Sequence, residues 1–266
     1  MNRYLQVALE VAGQVGALLV DEFGKQPAIE YKGGADIVTV ADRRAEELIV
    51  ERLRTFFPGH AIVAEEGGGG EAQSEFCWYV DPLDGTTNFA HGFPVFAVSM
   101  GLWSGEEALV GVVHDPMRGE TFYAAHGEGA WVNQKRIHVS RTERLFESLL
   151  ATGFPARKRH ANPNIHYYHR FTLMSHGVRR AGSAALDLSY VAAGRFDGFW
   201  EFSLKPWDTA AGALLVREAG GTVTDFQGLP YKLGGNEIAA SNGLIHPEMQ
   251  QVFAEIAAQA ANPLST

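Results

Sequence analysis

Apolar residues over the first two dozen positions recur at helical spacing, broken by Gln6, Glu10, Gln14 and Asp21, and predict a helix from about Asn2 to Phe23. A second amphipathic run, ADRRAEELIVERLRTFF, opens near Thr39 and stops at Pro58; the IEYKGGADIVTV before it reads as part strand, part loop. HAIVAEEGGGG is a short apolar run that ends in two glutamates and four glycines, a strand end opening into a loop. FCWYVDPLDG predicts a strand with a tight exit turn. From VFAVSM to IHVS, strand-like runs then alternate with glycine-containing turns in the manner of an antiparallel sheet.

From about Ser148 the texture changes. SLLATGF predicts a strand and NIHYYHRFTLMSHG a helix; GVRRAGSAALDLSYVAAGRFDGFWE holds a helix between two strand-like pieces, and PWDTAAGALLVREAGGTVTDF is a helix followed by a strand. This βαβαβ-like order divides the chain into residues 1–145, helices plus an antiparallel sheet, and a smaller α/β half, 146–266. No low-complexity linker marks the boundary near 140–148, so the halves are expected to pack tightly as one unit.

Composition narrows the class of function. With 46% of its 266 residues hydrophobic, the chain can bury a large core, and no apolar run is long enough to cross a bilayer. A formal charge of −9 argues against a nucleic-acid surface, because phosphate backbones are gripped by Lys and Arg. The single cysteine, Cys77, excludes an internal disulfide framework and a thiolate zinc cage within one chain, and a reducing, cytoplasmic location is the expectation. Between Phe76 and Trp78 it reads as a small buried hydrophobe on a strand.

The chemistry concentrates in VDPLDGTTNFAHG, Val80 to Gly92. Asp81 and Asp84 end an apolar strand, with Pro82 fixing the backbone between them and Gly85 permitting a sharp departure. Alone, such a string serves equally as an ordinary turn whose acids bond nearby amides. Glu65 and Glu66 end another strand at a glycine-rich loop, and Asp208 follows Trp207 where a helix begins. Carboxylates at strand ends and helix starts suit an oxygen cage for a hard cation, Mg²⁺ or Mn²⁺ in preference to zinc or copper. His166 and His169, three apart on a predicted helix, have no converging third partner and are read as surface or substrate-facing. Thr86, Thr87 and Asn88 begin a short helical or turn segment whose amides suit a phosphate, and Asp42 sits at a helix start as an N-cap or first-turn acid. Ions sharing a carboxylate would polarise water and neutralise phosphoryl oxygens, and neither GxSxG nor HCxxxxxR is present to suggest a covalent route.

Taken in order, AEEG (Ala64–Gly67), WYVDPLDGTTNF (Trp78–Phe89), FPVFAVSMGL, RRAGSAALDL (Arg179–Leu188) and PWDTAAGALLVREAGG (Pro206–Gly221) resemble the inositol monophosphatase family of magnesium-dependent, lithium-sensitive phosphatases, and span most of the chain. The resemblance implies an α+β fold, a layered αβαβα sandwich of the sugar-phosphatase type, and a homodimer. It implies that Glu65, Asp81 and the Leu83 carbonyl hold one Mg²⁺, that Asp81, Asp84 and Asp208 hold a second, and that a weaker third leans on Glu65 and water. Thr86 with Asp42, the acid of TVAD, would orient and deprotonate the attacking water; Glu65 joins them as a catalytic residue. Gly85 and Thr86 would hold the phosphate, and Ala184, Glu201 and Asp208 would line the substrate's side of the site.

The implied substrate is inositol-1-phosphate or a related small polyol or sugar monophosphate. Histidinol phosphate is the alternative, its cationic groups suiting an acidic pocket that includes Glu201, with fructose 1,6-bisphosphate and 3′-phosphoadenosine 5′-phosphate further members of the set. A reading of another class makes the chain a regulatory binding protein with vestigial catalysis; the filled set of oxygen donors favours a working enzyme. The basic, aromatic ARKRHANPNIHYYHRF, residues 156–171, reads either as a recognition element for a larger ester or as a solvated loop followed by a helix. Of Arg179 and Arg180, one is expected to approach the substrate and the other to pair with an acid.

Overall fold

The computed structural model describes residues 2–25, 29–33, 36–67, 74–154 and 162–261. Helix α1 (Arg3–Glu22) begins at Asn2, whose side chain accepts the Leu5 amide at 2.8 Å, and buries Leu5, Ala8, Val11, Ala12, Val15 and Leu19 along one face. A two-stranded antiparallel ribbon, β1 (Ile29–Gly33) and β2 (Asp36–Thr39), leads into α2 (Val40–Phe56). Both helices match the periodicity in the sequence to within two residues.

Next comes a seven-stranded sheet of β3 (Ala61–Ala64), β4 (Phe76–Asp84), β5 (Ala97–Ser104), β6 (Glu107–Asp115), β7 (Glu120–Ala125), β8 (Gly129–Val132) and β9 (Lys135–Ile137), laid side by side in chain order. Only β3 and β4 run parallel; the rest is the antiparallel meander that the turns predict. The five-residue helix α3 (Thr86–Ala90) interrupts the passage from β4 to β5.

The second sheet holds β10 (Leu149–Thr152), β11 (Gly177–Arg179), β12 (Gly198–Phe202), β13 (Thr222–Thr224) and β14 (Glu237–Ser241), in the order β11-β10-β12-β14-β13. Its parallel part, β11-β10-β12, is joined through α4 (Asn164–Met174) and α5 (Ala184–Ala192), as the βαβαβ texture predicts. Strand β14 is inserted antiparallel between β12 and β13, so the strand after α6 (Pro206–Glu218) lies at the sheet edge. Helix α7 (His246–Ala261) completes the fold.

Strand alternation divides the interior into three cores. Val98, Met100 and Leu102 of β5 face α1 and α2, where they meet Val15, Leu19, Ile49 and Leu53. Ala97 of β5 and Val113 of β6 face a middle layer of α5 and α6, on whose far side lies Phe199 of β12. Trp200 and Phe202, the next residues of β12 on its opposite face, pack on Phe171 of α4 and Val252, Phe253 and Ile256 of α7. The layers therefore run α, β, α, β, α. Helix α6, although late in sequence, lies flush on the first sheet: a Cβ at Gly101 would come within 2.7 Å of Ala210, and one at Gly111 within 2.7 Å of the Ala211 carbonyl.

Candidate active site

A bulge explains how two acids three residues apart come to the same side of the sheet. In a regular strand Asp81 and Asp84 would point to opposite faces. Here Asp81 pairs with Ser99 and Asp84 with Ala97, so three steps along β4 oppose two along β5, and the extra residue resets the parity. Pro82, which has no amide to donate, sits inside the bulge. Asp81 Oδ1 accepts the Leu83 amide at 3.0 Å, closing the turn on itself. Gly85 then takes φ +106°, and a Cβ there would stand 2.9 Å from the Val95 carbonyl, so glycine is required on both counts.

Thr86 opens α3. Its hydroxyl lies 2.8 Å from Asp42 Oδ1 and 3.0 Å from the Leu83 carbonyl, and it carries one proton to share between them. Asp42 is fully buried in the first turn of α2, and its other oxygen accepts both the amide and the hydroxyl of Thr39, at 2.8 and 2.6 Å. The helix-start and site readings of Asp42 thus hold together: a capping box aims it at Thr86. Asn88 Nδ2 donates to the carbonyls of Val95 and Ala181, at 2.7 and 2.8 Å, and fastens α3 to the segment before α5.

The start of α5 meets Asp84 directly. Ser183 Oγ and the Ala185 amide each donate to Asp84 Oδ2 at 2.7 Å, with Ala184 between them. Burial nevertheless pushes Asp84 up to about 6, against the opposing pull of these donors. Asp208 occupies the first turn of α6 and accepts the Lys205 amide at 2.7 Å; burial first, then the charge of Asp84, holds it well above the carboxylate range. Asp81 is raised by burial and then by Glu65, Asp84 and Asp208. Glu65 leaves β3 beside this group, its amide still paired to the Val80 carbonyl at 3.2 Å. Four acids from the ends of β3 and β4 and the start of α6 thus feel one another's charge. Among the described residues, ion pairs put no Lys or Arg on Asp81, Asp84 or Asp208. Among the described residues, no three His, Cys, Asp or Glu side chains stand close enough together to enclose an ion.

Glu201, on β12, lies against Gly153, where a Cβ would collide with its carboxylate oxygens. Burial, then the charges of Asp187, Asp208 and Asp84, raise it well above its ordinary value, while Arg180 draws it down. Of the arginine pair, Arg180 is the one whose charge reaches Glu201, and its guanidinium lies 5.1 Å from the Phe154 ring centroid. Asp187 escaped the sequence reading. It is 1% exposed, its Oδ1 has no hydrogen-bond partner, and burial followed by the charge of Asp84 raises it. Its signal was an acid amid the apolar residues of SAALDL.

The remaining sequence candidates stand apart from this cluster. His166 and His169 are exposed on α4. Cys77 is half-buried on β4 and burial raises its thiol, the opposite of an activated nucleophile. Residues 156–161 of the basic stretch lie outside the described residues; 164–171 form most of α4.

A profile of the inositol monophosphatase family matches residues 1–262. The chain belongs to that family, whose members are metal-dependent phosphatases. It is 46% identical over 257 residues to an inositol-1-monophosphatase of Synechocystis, covering 96% of this chain and 90% of that one. It is 45% identical over 250 residues to a protein of Pseudomonas aeruginosa named Nus factor SuhB, covering 91% and 92%. Among solved structures, an inositol monophosphatase from Anabaena superposes with a TM-score of 0.87 at 41% identity, covering 97% of this chain and 98% of that one. The layered α+β fold and the phosphatase class expected from the motifs are those of this family.

Proposed function

We propose that the chain hydrolyses inositol-1-phosphate, or a similarly small polyol or sugar monophosphate, with Mg²⁺ held by Glu65, Asp81, Asp84, Asp208 and the Leu83 carbonyl. The observation that carries the reading is the placing of Asp81, Asp84 and Asp208 near Glu65, with Asp81 and Asp208 raised first by burial and then by the charges of their acidic neighbours, around a bulge that turns two of the acids to one side. Such an all-oxygen, mutually repelling set fits a hard cation: binding one offsets the repulsion and keeps the carboxyls ionised. Two or three Mg²⁺ ions, with Mn²⁺ as a substitute, would supply charge neutralisation at the phosphoryl oxygens and the leaving alkoxide.

The chain's own residues orient the reaction. When Thr86 donates its proton to Asp42, its oxygen lone pairs are left to accept from a water, so the pair selects the attacking water's direction and Asp42 can receive a proton through Thr86. Gly85, whose positive φ and contact with the Val95 carbonyl leave no room for a side chain, turns the chain so that its backbone and Thr86 can hold the phosphate. Glu201, with Asp187 and Arg180 beside it, recognises the hydroxyls of the alcohol part. The site needs no second subunit for these groups; the assembly we propose is a homodimer, and the compartment the cytoplasm.

The test is phosphate release from inositol-1-phosphate, histidinol phosphate, fructose 1,6-bisphosphate and 3′-phosphoadenosine 5′-phosphate, with Mg²⁺, with chelator and with Li⁺. Turnover of inositol-1-phosphate that requires Mg²⁺ and falls with Li⁺ is expected. Preference for histidinol phosphate would move the assignment within the family, and no turnover of any ester would overturn it in favour of a binding role.

A further inference from the structure

Helix α2 carries two buried acids one turn apart, Asp42 and Glu46, 0% and 3% exposed. Residues four apart share a helix face, so both look toward the ends of β3 and β4. Asp42 takes the turn that follows β4, through Thr86. Glu46 takes the turn that follows β3: its Oε2 accepts the backbone amide of Glu66 at 2.7 Å.

The placement of that bond gives it its meaning. Strand β3 ends at Ala64, opposite Val80, and the chain turns away at once through Glu65, Glu66 and Gly67. The Glu65 amide is held by the Val80 carbonyl at 3.2 Å, and the Gly67 amide by the Ala64 carbonyl at 3.3 Å, with Gly67 at φ +86°. The Glu66 amide lies between them and is met by a carboxylate from a different element. The peptide unit that carries this N–H joins Glu65 to Glu66, so with the Glu65 amide held on the other side both peptide planes flanking the Glu65 Cα are fixed, and with them the direction in which its Cβ leaves the backbone. A charge-assisted bond from a carboxylate to an amide is about twice as strong as a neutral one. Burying that carboxylate is costly, and a turn that needed no fixed direction would not require it.

We propose that Glu46 is a positioning residue for Glu65, holding it in the direction from which it donates to a cation. The inference rests on the cation reading given above and adds a residue to it. One helix then sets both sides of the site: Asp42 aims the hydroxyl that orients water, and Glu46 aims a donor on the neighbouring strand.

The experiment is Mn²⁺ binding to the purified full-length, metal-free protein, followed by the electron paramagnetic resonance signal of free Mn²⁺, for wild type, Glu46→Ala, Glu46→Gln and Glu46→Asp, with thermal melts alongside. Glu46→Ala is expected to weaken binding about tenfold or more, the range for removal of a group that orients a metal ligand. Glu46→Gln, which keeps a neutral acceptor oxygen at the same reach, should recover part of the loss; Glu46→Asp, which keeps the charge but withdraws it by one methylene, should not. A lower melting temperature with wild-type Mn²⁺ affinity in Glu46→Ala would show a purely structural role and overturn the inference. Should Glu46→Ala not fold, wild-type affinity in both Glu46→Gln and Glu46→Asp would overturn it equally. Wild-type protein that takes up no Mn²⁺ would instead bring down the cation reading itself, and this inference with it.

Discussion

Ser183 Oγ donates to Asp84 Oδ2 at 2.7 Å across 99 residues of sequence, and so ties the start of α5 to the bulged turn after β4. The same hydroxyl caps α5 by accepting the Leu186 amide at 3.3 Å. Ser183→Ala is expected to destabilise the protein by about 1 kcal/mol, as for loss of an N-cap. It should also move the Asp84 midpoint above about 6, since a donor that favours the charged form is gone. Thermal melts and an NMR titration of the Asp84 carboxyl check the two effects separately.

Asp81→Asn separates chemistry from folding. The asparagine oxygen can still accept the Leu83 amide, while a buried carboxyl facing Glu65, Asp84 and Asp208 is removed. The metal-free variant should therefore melt at or above the wild-type temperature near neutral pH, yet turn over substrate slower by orders of magnitude. Near-normal turnover by the folded variant would contradict the role proposed for Asp81.

The acids also set a pH dependence. Asp81, Asp187, Glu201 and Asp208 lie well above their ordinary values and Asp84 at about 6. A carboxyl raised in the folded chain binds its proton more tightly there. Its contribution to stability is full below the unfolded pKa and is lost as pH rises through the folded one. For Asp84 that window runs from 3.8 to about 6. His60, His114 and His246, lowered by burial, act in the opposite sense, favouring the folded state as pH rises. Melting with Mg²⁺ minus melting with chelator cancels the histidines. That difference should be small near about pH 5, where protons compete for the acids, and grow toward about pH 8. A difference constant across the range would show that no ion displaces these protons.

Gly153→Ala addresses recognition without touching a donor. The added methyl would collide with the Glu201 carboxylate and displace it. KM for inositol-1-phosphate is expected to rise about tenfold, the loss of a hydrogen bond to a charged group, with little change for an aryl phosphate that has no hydroxyls to bind. Equal losses on both substrates would place Glu201 outside alcohol recognition.

Helices α1 and α2 and the meander were legible because their periodicities are long and flanked by capping and turn residues. Helix α7 carries an equally clear signal, Met249, Val252, Phe253 and Ile256 at helical spacing, in a C-terminal stretch that holds none of the motifs. Strand β14, EIAAS, is five residues long and owes its place to neighbours on both sides, which no local pattern records. The acids could be named as candidates from their motifs, but why Asp81 and Asp84 share a side could not, because a bulge is a property of two strands together. Asp187 and Glu46 look like ordinary helical acids in sequence; only tertiary packing turns one into the pocket and the other onto a backbone amide.

Helix α6 rests on the bare backbone of Gly101 and Gly111 at Ala210 and Ala211, two and three residues past Asp208 in its first turn. Those two strand positions are thus levers on Asp208: one methyl at either would lift the near end of the helix and swing the carboxylate with it. Changes there would reach the acid from beneath, through the helix, and an engineer wishing to retune the spacing of the acids would find the handle in the sheet.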